Sequence, residues 1–168
     1  MNQMREIRIE KITLNIGTGG PGEKLDKAMR LLNKITGMKV VSTVTKERIP
    51  GWDIRPGLQI GCKVTIRGNK AKELLGRLLK ADISKLSSLK FDVYGNFSFG
   101  VSEYIDIQGI EYDASIGIIG LDVAVSLERP GFRIKRRSIK KRKIPLNQRI
   151  TKEESIEFIN KTYNIGVN

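Results

Sequence analysis

Residues 7–17, Ile-Arg-Ile-Glu-Lys-Ile-Thr-Leu-Asn-Ile-Gly, alternate apolar and polar positions through Ile7 and Ile9, then Ile12, Leu14 and Ile16, with one slip near Lys11. A period of two predicts a strand with one face buried. From Glu23 the spacing changes: Leu25, Ala28, Met29, Leu32 and Ile35 recur at helical intervals and stop at Gly37, which predicts an amphipathic helix. The β-branched stretch Lys39–Thr45 predicts a second strand. It is followed by a long exposed loop, residues 46–59, with two Pro-Gly pairs and no periodicity. Alternation returns in residues 60–68, with Ile60, Cys62, Val64 and Ile66 on one face and Lys63, Thr65 and Arg67 on the other.

A second helix is predicted over 69–82, and short strands with turn residues around Gly95 over 90–107. Residues 120–129 predict a late strand that Pro130-Gly131 ends, and Thr151 with Glu154 gives the spacing of a capping box at the start of a final helix. Strand, helix, strand, strand, helix, several strands, helix is an α+β pattern. The expected fold is two-layered, with a mostly antiparallel sheet and its helices gathered on one face. No repeat or linker divides the chain, so residues 1–168 are expected to form a single domain, with 129–149 as a basic extended segment within it.

Charge changes the picture. The 168 residues carry a net charge of +13, which favours a polyanionic partner, nucleic acid before anionic membrane. It is unevenly distributed. Residues 1–81 hold 17 basic and 7 acidic side chains, 82–128 hold 2 and 8, and 129–149 hold 10 basic and none acidic. Two cationic surfaces around an acidic face follow from that pattern. The chain has no histidine, which removes the commonest general acid-base and metal ligand. A single cysteine, Cys62, allows no internal disulfide and fits a reducing compartment. No apolar run reaches membrane-spanning length and the start has no signal-like stretch. A cytosolic protein that is not an enzyme is expected, with no cofactor, no metal and no membrane partner.

Three features invite chemistry. Gly17, Gly19 and Gly22 match G-x-G-x-x-G between a strand and a helix. No acidic residue ends the next strand and Pro21 sits within the turn, so a tight strand-to-helix connection is the better reading than a dinucleotide site. The carboxylates Asp92, Glu103, Asp106, Glu111 and Asp113 lack metal-motif spacing and read as acidic surface. Lys63, Thr65 and Arg67, two residues apart, project from one side of a sheet. A hydroxyl between two cations suits an RNA backbone.

Beyond these single features, residues 10–17, 35–49, 54–68, 95–104 and 112–133 form five collinear blocks. Together they resemble the universal 5S rRNA-binding protein family of the large ribosomal subunit, and the ending Gly120–Arg137 is similar to its archaeal and eukaryotic branch. The resemblance implies a structural protein of the central protuberance, in the cytoplasmic ribosome. Its implied partners are 5S rRNA, large-subunit rRNA, the elbow of the P-site tRNA, a small-subunit protein across the interface and neighbouring large-subunit proteins. It implies 5S contacts at Asn15, Thr65 and Arg67, with Lys63 beside them on the same face of the sheet, the face left available to RNA. Met38 occupies the fourth family position, where the family pattern has Gln, and carries over only weakly. The implied tRNA-contacting loop spans 47–58, with Arg48, Trp52 and Arg55. Arg133, Lys135, Arg136, Arg137, Lys140, Lys141, Arg142 and Lys143 form a block of charge without interleaved aromatics, expected to meet rRNA backbone. A regulatory nucleic-acid-binding protein using the same surfaces is the competing reading.

Overall fold

The computed structural model describes residues 2–81 and 86–167. Eight regular elements organise it: β1 (Arg8–Gly17), α1 (Glu23–Thr36), β2 (Val41–Val44), β3 (Gln59–Ile66), α2 (Asn69–Ala81), β4 (Phe97–Val101), β5 (Leu121–Glu128) and α3 (Lys152–Tyr163). The strands form one five-stranded sheet in the order β2-β3-β1-β5-β4, and every pairing is antiparallel. The expected α+β architecture is what the chain adopts.

The alternation in β1 does what it predicts. Ile12, Leu14 and Ile16 are buried and sit opposite Ile66, Val64 and Cys62 of β3. On the other side Ile12 and Leu14 meet Val125 and Val123 of β5. The slip near Lys11 is a β-bulge: Ile9 pairs with Leu127 and Lys11 with Ser126, which leaves Glu10 as the extra residue. A bulge restores Ile9 to the core side after the break in alternation and re-aims the residue it expels.

The helices supply the second layer. Leu25, Ala28, Leu31, Leu32 and Ile35 of α1 and Ala71, Leu74, Leu75, Leu78 and Leu79 of α2 are buried against the apolar face of the sheet. Each fully buried Leu contributes about 1.5–3 kcal/mol. Gly37 closes α1 in the left-handed conformation (φ 62°), donating its N–H to the Asn33 carbonyl, the C-terminal geometry that lacks a Cβ penalty in glycine. Met29, placed on the core face by spacing, is only half-buried, and Leu31 takes a central place instead.

Between residues 90 and 107 the structure departs from the expected short strands. Only Phe97–Val101 is a strand, and Tyr104–Asp106 is a 3-10 turn. Tyr104 and Ile107 are both fully buried. Their spacing of three requires a turn, and the Tyr104 hydroxyl accepts a hydrogen bond from the Asp113 N–H (3.0 Å). The carboxylate of Asp92 shapes the preceding turn by accepting from the N–H groups of Tyr94 and Asn96.

α3 starts with the anticipated capping box, the Thr151 and Glu154 side chains each accepting from the other's backbone N–H. Several contacts dock it and the residue before its cap. The Ser155 hydroxyl donates to the Gly95 carbonyl at 2.7 Å. Ile150 packs so closely on Gly95 (φ 75°) that a Cβ there would lie 2.6 Å from Ile150 Cγ2. The Tyr163 hydroxyl donates to the Lys72 carbonyl of α2 at 3.2 Å. Beside them Arg129, only 4% exposed, donates to Glu154 Oε1 at 2.7 Å and to the Arg149 carbonyl at 3.3 Å.

Burial alone would raise the Glu154 carboxyl, but the Thr151 N–H and the Arg129 guanidinium hold it below its ordinary value of 4.5. A carboxyl with a depressed folded-state pKa adds stability above its unfolded value and loses that stability as pH falls through the folded value. Glu154→Gln should therefore lower Tm at pH 7, because Arg129 is left buried without its counter-charge. Thermal melts taken down to about pH 2.5 should show the two proteins converging, as protonation removes the same charge from the native carboxylate.

Candidate nucleic-acid interface

One face of the sheet is packed on helices. The other is open, and strand register determines what stands on it. Residues directly opposite on antiparallel strands project to the same side. Asn15 lies opposite Lys63 on β3 and Asp122 on β5, and Val41 of β2 lies beyond Lys63. The neighbouring row runs Thr65, Thr13, Ala124 and Ser98. Lys63, Thr65, Asp122, Ala124 and Ser98 are exposed, and Asn15 and Thr13 are half-buried. The structure thus brings Asn15, Lys63 and Thr65 into one patch from strands separated by more than forty residues of sequence. Small residues on the β4–β5 side leave the face flat enough for an extended polymer.

Arg67 stands just past the end of β3, its Nη1 3.6 Å from Glu10 Oε1 and 3.5 Å from the Glu10 carbonyl. Thr13 and Asp122 complete the face and were not singled out from sequence. The alternation of β1 and β5 carried that information, because each shares its strand's polar phase. Met38 stands apart from these rows, in the link between α1 and β2, half-buried and packed on the core.

Close backbone approach fixes one end of the patch. Gly61 faces Gly17 across the ladder, and a Cβ on Gly61 would sit 2.6 Å from the Ile16 carbonyl oxygen. The Ile60 carbonyl meanwhile accepts from the N–H groups of both Thr18 and Gly19. The glycine turn is thus tied to β3, and the helix it opens carries Glu23 and Asp26 in its first turn. Two carboxylates there oppose a pyrophosphate, so the turn serves as a connection.

The loop between β2 and β3 extends the hairpin. The Thr45 N–H reaches the Leu58 carbonyl at 2.9 Å, the Gly57 N–H reaches the Thr45 carbonyl at 3.0 Å, and Ile49 bridges to Ile54. Ile54 is buried and anchors the tip, whereas Trp52 is 72% exposed, with Arg48 and Arg55 exposed nearby in sequence. A large aromatic held out into solvent on an anchored turn is unusual for a monomer's own stability and suits a contact surface.

The basic run carries local structure at its start. Phe132 is buried at the start of a 3-10 turn, Phe132–Lys135, with Lys135 Nζ 5.5 Å from its ring centroid. Arg137 Nε donates to the Lys140 carbonyl at 2.9 Å, and the Arg142 N–H to the Ile134 carbonyl at 3.3 Å. Arg136 forms ion pairs with Glu10, at 3.2 Å, and with Glu128. Arg133, Lys135, Arg137, Lys140, Lys141, Arg142 and Lys143 are exposed. Arg129, the first cation of the run, is instead a buried structural residue.

Other candidate chemistry has structural duties. Cys62 is buried, and burial pushes its thiol up to about 11, so it is a thiol, and unreactive, at neutral pH. Among the described residues no group of His, Cys, Asp or Glu is arranged to hold a metal ion, and no helix is long and apolar enough to cross a membrane.

An exposed polar sheet face carrying cations, with a cationic loop and a cationic turn elsewhere on the surface, is chemistry suited to a polyanion. The chain belongs to the ribosomal protein L5 family. Residues 2–55 match the family described as Ribosomal protein L5, and residues 59–158 match the C-terminal part of the same ribosomal family. It is 47% identical over 168 residues to the large ribosomal subunit protein uL5 of Sulfurisphaera tokodaii, covering 99% of this chain and 95% of that one. It is 53% identical over 156 residues to the uL5 of Nanoarchaeum equitans, covering 92% of each. The uL5 of Methanosphaera stadtmanae is 42% identical over 167 residues, 99% of each chain.

Because Met38 packs on the core, Met38→Gln should lower stability by about 1–2 kcal/mol, the cost of placing an amide at a half-apolar site. Its affinity for RNA should be unchanged. Chemical denaturation and filter binding on the same preparation check both halves.

Proposed function

We propose that this chain, a structural constituent of the large ribosomal subunit and not an enzyme, binds 5S rRNA with the open face of its sheet. Asn15, Lys63, Thr65 and Arg67 are the contacting residues. The observation that carries the reading is the row of exposed Lys63 and half-buried Asn15 beside Thr65 and Thr13, on a face that no helix covers among the described residues. Lysine and arginine neutralise phosphate, while the threonine hydroxyls and the Asn15 amide offer donors and acceptors to ribose 2′-hydroxyls and base edges.

The exposed cations at the end of the basic run, Lys140 to Lys143, then neutralise large-subunit rRNA and help attach 5S rRNA to it in the central protuberance. The β2–β3 loop, with Arg48, Trp52 and Arg55, reaches the elbow of the P-site tRNA. The acidic segment, including Glu103, Asp106 and Glu111, is turned to a small-subunit protein across the interface, since a carboxylate-rich surface repels RNA and attracts a basic protein. The site of action is the cytoplasmic ribosome.

The sheet-face reading is tested with Lys63→Ala and Thr65→Ala, both at exposed positions. Removing a charge-assisted or hydroxyl hydrogen bond to RNA typically costs about 1–3 kcal/mol. Each should weaken 5S rRNA binding, Lys63→Ala by roughly tenfold, with unchanged thermal melts. Undiminished affinity of the double variant for 5S rRNA would refute the assignment.

The end of the basic run needs a different ligand, the large-subunit rRNA with 5S rRNA bound. Changing Lys140, Lys141, Arg142 and Lys143 to Gln should reduce the slope of log K against log salt by about 0.7–0.9 for each phosphate no longer neutralised. An identical slope for both proteins would remove these residues from the interface.

A further inference from the structure

The two cationic regions, far apart in sequence, meet at one atom. Arg67 Nη1 lies 3.6 Å and Arg136 Nη1 3.2 Å from the same oxygen, Oε1 of Glu10. The Glu10 side chain is 9% exposed, whereas those of Arg67 and Arg136 are 55% and 39% exposed. Glu10 is the residue that the β1 bulge expels from the ladder. Arg136 is tied again, by Glu128 at the end of β5. Beside it opens a recess of about 540 Å³ lined by Glu128, Arg133, Arg136, Arg137 and Ser138 among others.

We infer that Arg67 and Arg136 form a single phosphate clamp on 5S rRNA, held in shape by the Glu10 carboxylate they share, so that the sheet face and the start of the basic run are one continuous RNA surface. This rests on the sheet-face reading above. Its ligand is a phosphate of the RNA backbone.

Each guanidinium has five N–H donors on a planar fork, and each uses only part of that fork on Glu10 or Glu128. Both side chains stay partly open to solvent. Two guanidinium groups on one carboxylate oxygen lie close enough to grip the same phosphate from two sides. A free arginine loses considerable rotamer freedom when it binds. One already pinned by a carboxylate loses less, so Glu10 favours binding by preorganisation. A purely electrostatic account predicts the reverse, since an acidic residue near bound phosphate opposes it. The sign of the Glu10 effect therefore separates the two. Arg133 and Arg137 line the recess with Arg136, so four arginines face two carboxylates and a phosphate enters a field that is positive.

The test measures binding to isolated 5S rRNA, without large-subunit rRNA, for Glu10→Gln, Arg136→Lys and Lys63→Ala, with thermal melts for each. Glu10→Gln should weaken binding by about tenfold although it makes the protein more positive. Arg136→Lys keeps the charge, removes the planar fork at an exposed position, and should weaken binding severalfold without loss of Tm. If Glu10→Gln binds more tightly than the native protein, the carboxylate merely neutralises and the clamp is wrong. If Arg136→Lys binds 5S rRNA as tightly as the native protein, Arg136 is outside the site and the clamp is equally overturned. The Arg136→Lys result decides the matter should Glu10→Gln prove unstable. Weakened binding by Lys63→Ala alone would leave the sheet-face reading standing and the clamp refuted. Unchanged binding by all three would refute both.

Discussion

β1 hydrogen-bonds to two strands at once, and that constraint orders the rest of the molecule. Its pairing with β3 and with β5 must put the same alternate side chains in the core. A slip of one residue on either side would exchange Leu14 for Asn15 across the whole sheet. The register is therefore fixed by burial on both edges of the strand. The polar phase of β1, Thr13 and Asn15, is thereby displayed between the polar phases of its two neighbours. The surface read here as RNA-binding is thus the obligatory reverse side of the core, and its precision comes from the apolar packing beneath it.

The C-terminal third is attached by a different kind of interaction. Arg129 is buried with Glu154 as its counter-charge, and its Nε lacks a hydrogen-bonding partner among the described residues. A buried pair of this kind adds little net stability over an apolar substitute, yet breaking it exposes an uncompensated charge to a low-dielectric interior. It therefore acts as a demand for one arrangement. Phe132 and Ile150 are buried at the two ends of the basic segment, so the repelling cations between them are displayed from fixed anchors.

Much of this was legible in the sequence because it is local. Alternation gave β1 and β3, the three-and-four spacing gave α1, and Thr151 with Glu154 gave the start of α3. Even the bulge was visible as a missed step at Lys11. What was not legible depends on residues distant along the chain. Tyr104 and Ile107 lie in a stretch of strand-like composition, and only the Asp113 N–H that meets the Tyr104 hydroxyl explains the turn. Arg129 and Arg136 look like members of an undifferentiated basic run. Their partners, Glu154 and Glu10, lie outside it, and no spacing rule links them. Met38 lies between α1 and β2, half-buried and packed on the core, a placement that no periodicity in the link announces.

The sheet order also bears on how the chain emerges during synthesis. β3 can join β1 early, but β5 follows β1 by about a hundred residues. At about 5–20 residues per second, one edge of the central strand stays unpaired for several seconds with its N–H and C=O groups exposed. Such an edge is a template for the wrong partner. Here the edge carries adjacent opposite charges, Glu10 and Lys11, at the point where the alternation of β1 slips. The irregularity that aims Glu10 in the finished protein thus also shortens the flat, sticky length of edge that the nascent chain must carry.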